Sequence, residues 1–154
     1  MPRKVSNEAS KPNPALSSFG VLVGNWTTIG SHGLLPGKIL HGRTSFEWIE
    51  EGAFLMMRSE IDEPEIPSAI AILGSDDAEH KCIMLYFDER GVSRKLDVSL
   101  DGATLKWWRD AKGFSQRFVC TIADDGRTIV GKGELSRDDV TWEKDLDLTY
   151  TKAD

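Results

Sequence analysis

The chain has 154 residues, of which 40% are hydrophobic and 29% charged, a balance suited to one globular domain with a real core. Nineteen basic against 25 acidic side chains leave a formal net charge of −6, which argues against nucleic acid and against anionic membrane surfaces as partners. No apolar run approaches membrane-spanning length.

Residues 1–14 are polar, with Pro12 and Pro14, and read as a mobile N-terminal tail ahead of a single domain over 15–154. The opening MPRKVSNEASKPNP has charge but no apolar stretch, so it is not a secretory signal and a cytoplasmic chain is expected. In PALSSFGVLVG, Leu16, Phe19 and Val23 fall at i, i+3 and i+7, a short helical face that Gly24 would end.

From there the pattern is strand, turn, strand. Segments rich in β-branched and aromatic residues run over 24–31, 39–50, 53–62, 68–75, 81–88, 92–100, 103–110, 114–124, 127–136 and 140–151. Between them lie turn signals such as LPG at 35–37, EEG at 50–52 and DDG at 124–126. Connections this short permit only antiparallel neighbours. Closure would remove the exposed edges of so long a meander. The expected fold is all-β, an antiparallel meander closed into a barrel of about ten strands, with one short N-terminal helix.

Alternation along the late strands assigns an inward face. In 92–100 the apolar set is Val92, Leu96, Val98 and Leu100, and Arg94 interrupts it. Gln116 interrupts the set of Phe114, Phe118, Cys120 and Ile122, and Lys144 that of Val140, Trp142, Leu146, Leu148 and Tyr150. A buried cation needs a carboxylate, water or a ligand anion. Arg94, Gln116 and Lys144 are therefore candidate polar anchors, with Tyr86, Trp107 and Trp142 as further candidate lining residues.

On the second and third strands, a hairpin at 51–52 sets Glu47 near position 56 and Arg43 near Glu60. That ladder reads as solvated ion pairs on the outer face. His41 and Glu47 stand about 20 Å apart along a strand, too far to work together. Acidic clusters at 75–77, 123–125 and 137–139 are turn formers, and no metal site is expected. Cys82 and Cys120 lack metal or redox spacing and read as reduced thiols.

Gly24-x-Trp26 entering the first strand after a short helix resembles the calycin superfamily of lipocalins, fatty-acid-binding proteins and nitrobindin-like proteins. GRTSFEWIEEGAFLMM at 42–57, AIAILGSD at 68–75 and CIMLYFDERGVSRKLDVSLDGATLKWW at 82–108 resemble an uncharacterised bacterial group of lipocalin-like domains. The resemblance covers roughly 16–151 and implies a barrel that encloses an apolar ligand site; the group brings no activity with it. Gly24 and Trp26 then form the barrel floor. Nitrobindin-like proteins hold haem through a histidine late in the chain. The histidines here are His32, His41 and His80, none of them in the last two strands, so haem is disfavoured and no cofactor is expected.

Three functions fit these residues. One is a container for a small apolar or anionic molecule, anchored by Arg94, Gln116 and Lys144. Another is an enzyme using the same cavity, with Tyr86 and Asp88 supplying a titratable group. A third is a homodimeric module with a filled barrel and a sticky wall of Leu55, Met57 and Trp108.

Overall fold

A computed structural model describes residues 11–153. A 3-10 helix, Pro14–Leu22, precedes ten strands: β1 Gly24–His32, β2 Leu40–Ile49, β3 Phe54–Ile61, β4 Ala69–Asp76, β5 Lys81–Asp88, β6 Ser93–Asp101, β7 Thr104–Arg109, β8 Ser115–Ile122, β9 Thr128–Ser136 and β10 Glu143–Lys152. Each strand pairs antiparallel with the next, and β1 also pairs with β10, which closes the barrel and leaves no sheet edge. Of the expected tail, residues 1–10 lie outside the described residues. Its last residues are part of the fold: Asn13 is buried, caps the helix, and donates its backbone N–H to the Gly52 carbonyl at 2.9 Å.

The helix closes one end of the barrel. Its buried face is Leu16, Phe19 and Leu22, not the expected Leu16, Phe19 and Val23. A 3-10 helix turns every three residues, so i, i+3 and i+6 align. Burying each such side chain is worth roughly 1.5–3 kcal/mol. Trp26, 1% exposed, stands directly above, and its indole N–H donates to the Leu22 carbonyl at 2.8 Å. Lys152 on β10 donates to the Val23 carbonyl at 2.9 Å and lies 5.2 Å from the Trp26 ring centre. Val23, in an extended conformation, ends the helix in place of Gly24. Gly24 has φ +132°, and a Cβ there would lie 3.0 Å from Lys152 Cε. A glycine is therefore required where the chain leaves the helix for β1.

The turns at 50–53, 77–80, 102–103 and 123–127 surround this closed end, and the loops at 33–39, 62–68, 89–92, 110–114 and 137–142 surround the other. The inner layers between them hold Phe46, Leu55, Leu73, Met84, Leu96, Leu105, Phe118 and Leu148. Leu55 and Met57 belong to this interior, so they do not form the expected sticky wall. Exposed apolar side chains on the outer wall include Leu85 and Phe87 of β5, 39% and 44% exposed, together with Ile29, Val119 and Val130 on other strands. No helix among the described residues is long and apolar enough to cross a membrane.

Candidate binding cavity

A cavity of about 680 Å³ opens between the loops opposite the helix. That volume suits a drug-sized ligand. Met57, Met84, Leu96, Phe118, Leu148 and Tyr150 line its depth, and His32, Glu65, Arg90, Arg94, Gln116 and Asp145 gather toward its mouth. Trp107 lies on the wall, stacked on Phe118 with ring centres 4.8 Å apart. A glycine pair makes room for that stack. A Cβ on Gly131 would approach Phe118 Cζ to 2.4 Å, and one on Gly133 would approach Phe118 Cδ1 to 3.0 Å.

Arg94 and Gln116 both turn inward. Arg94 Nη1 donates to Gln116 Oε1 at 2.8 Å, and its guanidinium sits 5.1 Å from the Phe114 ring centre. Gln116 Nε2 donates to Asp145 Oδ2 at 3.4 Å, and His32 Nε2 lies 3.0 Å from Asp145 Oδ1. The Leu34 backbone N–H donates to His32 Nδ1 at 3.0 Å. The proton of the neutral ring therefore sits on Nε2, toward Asp145, and both ring nitrogens are occupied.

The other arginines at the mouth are matched by acids. Arg90 pairs with Asp88 at 2.7 Å, Arg117 with Glu134 at 3.0 Å and Arg137 with Glu143 at 2.6 Å. Arg94 has no carboxylate within ion-pair distance among the described residues. A half-buried guanidinium whose hydrogen-bond acceptor is an uncharged amide retains donors and charge for an incoming anion.

Of the expected lining residues, Trp142 lies outside the cavity and Lys144 borders it only from the rim. Lys144 is exposed at the rim, where it donates to Ser31 Oγ at 2.6 Å and lies 3.7 Å from Asp147. A β-bulge is the cause: Lys144 opposes Glu134 while Asp147 opposes Lys132, so one extra residue sits in β10. The bulge reverses the alternation and turns Asp145 inward in place of Lys144. Gly30 and Gly33 admit it, since Cβ atoms there would lie 1.8 Å from the Asp147 carbonyl oxygen and 2.3 Å from that of Lys144. Trp142 lies before β10 and packs under Arg117, whose guanidinium is 3.7 Å from the ring centre; it does not line the cavity. Trp108, half-buried, carries Lys106 over its ring at 4.8 Å.

Tyr86 lines the cavity with its ring, but its hydroxyl donates to Asp88 Oδ2 at 2.8 Å. The Arg90 hydrogen bonds hold the fully buried Asp88 carboxylate down at about 2. Burial and the Asp88 carboxylate push the Tyr86 phenol well up. Each is locked in the form it has at neutral pH, which suits a structural clamp and not a general acid–base pair. His41 is exposed on the outer wall, where Arg43 also meets Glu60 at 2.8 Å. Asp145 and His32 do not stand out in the sequence pattern as site residues. The signal that could have found them is GSHG at 30–33, where two glycines flanking the histidine mark a closely approached backbone.

The barrel is similar to solved structures. One is the crystal structure of Rv2717c from M. tuberculosis, with a TM-score of 0.65 and 13% sequence identity over 92% of this chain and 98% of that one. At that identity the likeness concerns the fold. No family model and no curated protein matches the chain.

Proposed function

We propose that this chain is a calycin-like binding barrel that takes a small amphipathic anion, apolar body inward and acidic group at Arg94. One observation carries the reading: a deep, largely apolar cavity whose mouth holds an arginine without an acidic partner among the described residues. Tyr86, Trp107 and Gln116 complete the site, with Trp107 and Phe118 as an aromatic wall and Gln116 holding Arg94 in position. Trp26 and Gly24 serve as the floor, outside the binding chemistry. No haem is needed in this reading. The two cysteines, Cys82 and Cys120, are both unpaired, in keeping with a reducing cytoplasm.

The test is a fluorescence titration with 11-(dansylamino)undecanoate. Saturable one-to-one enhancement, reversed by dodecanoate, is expected. An absence of saturable binding by either acid overturns the proposal. Native mass spectrometry of the purified protein then asks whether an acidic, apolar molecule travels with it.

A further inference from the structure

Four hydroxyl-bearing residues lie side by side on the inner wall across β10, β1, β2 and β3. Tyr150 faces Thr28 across the β10–β1 pair, and Thr44 faces Ser59 across β2–β3. Thr28 opposes Gly42, two residues before Thr44, so the threonines are diagonal neighbours. Tyr150, Thr28 and Thr44 are 5%, 4% and 3% exposed, and Tyr150 and Ser59 line the cavity.

None of these four hydroxyls has a hydrogen-bond partner among the described residues. Buried hydroxyls elsewhere are satisfied: Ser115 Oγ bonds to Ala111 and Asp139, and Ser136 Oγ to Asp138. The Thr28 and Thr44 oxygens are enclosed, whereas Tyr150 and Ser59 face the cavity, where a partner from outside the chain can reach their unpaired hydroxyls. The facing wall presents Met84, Leu96 and Phe118, and Met57 and Leu148 flank the hydroxyls, so Tyr150 and Ser59 form a polar patch in an otherwise apolar depth below the charged mouth. Burial, with Cys120 nearby, pushes the Tyr150 phenol well above its ordinary value, so it keeps its proton and offers an O–H.

Resting on the binding reading above, we infer that the ligand carries, besides its acidic group, an uncharged oxygen substituent (a hydroxyl or keto group) that bonds to the Tyr150 hydroxyl inside the cavity. The natural class is an oxygenated apolar acid, not a plain alkyl carboxylate. A site built to pair with such an oxygen discriminates against the analogue that lacks it, because a bound apolar chain then covers the Tyr150 hydroxyl without satisfying it.

The experiment is calorimetric titration of the full chain and of Tyr150→Phe with three pairs of acids: decanoate and 10-hydroxydecanoate, dodecanoate and 12-hydroxydodecanoate, hexadecanoate and 16-hydroxyhexadecanoate. The three lengths let the terminal oxygen reach different depths. For at least one pair, the affinity of the hydroxy acid relative to its parent is expected to fall by about tenfold or more on Tyr150→Phe. The unliganded variant is expected to melt at the same temperature or higher, since the Tyr150 hydroxyl makes no hydrogen bond to the described residues. If the plain acids bind but every ratio is the same in both proteins, the inference fails and the binding reading stands. It fails in the same way if Tyr150→Phe lowers the melting temperature and leaves the ratios unchanged, which would assign the hydroxyl to an internal structural water. If no acid binds the unmodified chain, both fall.

Discussion

The carboxamide of Gln116 stands between Arg94 and Asp145, accepting from the guanidinium at 2.8 Å and donating to the carboxylate at 3.4 Å. The amide holds both charged groups in place without neutralising the arginine. Gln116→Glu is expected to abolish that separation. The new carboxylate would pair with Arg94, add negative charge beside Asp145 and compete with any ligand anion. Dodecanoate affinity should drop by about tenfold or more, the scale of one lost charged hydrogen bond, while urea denaturation shows the fold retained. Undiminished affinity would show that Arg94 is not the anion's partner.

The floor answers to a different measurement. Trp26 is enclosed by the helix and Lys152 at the closed end of the barrel. Trp26→Ala is expected to cost about 3–5 kcal/mol of stability, read from the urea midpoint. Gly24→Ala forces a side chain onto φ +132° and against Lys152, at a cost of about 1–3 kcal/mol. A Gly24→Ala variant as stable as the original would show that the junction does not require a glycine.

The Asp88 clamp makes an acid-range prediction. Its carboxyl is held at about 2 by Arg90, below an ordinary aspartate. A depressed carboxyl stabilises the fold at and above the unfolded-state pKa of about 4, and that stabilisation is lost as pH falls through about 2. It is worth about 2 kcal/mol at neutral pH. Asp88→Asn should lower stability at pH 7 by about that amount and flatten the decline between pH 4 and pH 2. A parallel pair of stability curves would show that the clamp does not matter.

Haem offers a check on the His32 geometry. With Nδ1 accepting from Leu34 and Nε2 engaged with Asp145, neither nitrogen is free for iron. Hemin titration is expected to produce no sharp Soret shift, with His32→Ala indistinguishable from the original. A shift that vanishes in His32→Ala would overturn this.

Most of the fold was legible because it depends on short-range signals. Two-residue alternation and closely spaced turns mark all ten strands to within a few residues, and the hairpin at 51–52 puts Arg43 opposite Glu60 as its turn requires. Arg94 and Gln116 stand out as polar breaks in clean apolar faces, and both reach the cavity wall. Lys144 is a break of the same kind, but the bulge in β10 inverts its face, and a bulge depends on how two distant strands meet. Gly30, Gly33, Gly131 and Gly133 mark close approaches whose partners lie far along the chain, so the sequence alone does not say what fills the space. The hydroxyl band of Tyr150, Thr28, Thr44 and Ser59 is likewise assembled from four strands.

The most direct measurement is calorimetric titration of dodecanoate into the unmodified chain and into Arg94→Gln. A single site filled one-to-one is predicted, with affinity falling by about tenfold or more when the guanidinium is removed. Equal affinity in the two proteins, or no saturable binding to the unmodified chain, would contradict an anion site at Arg94.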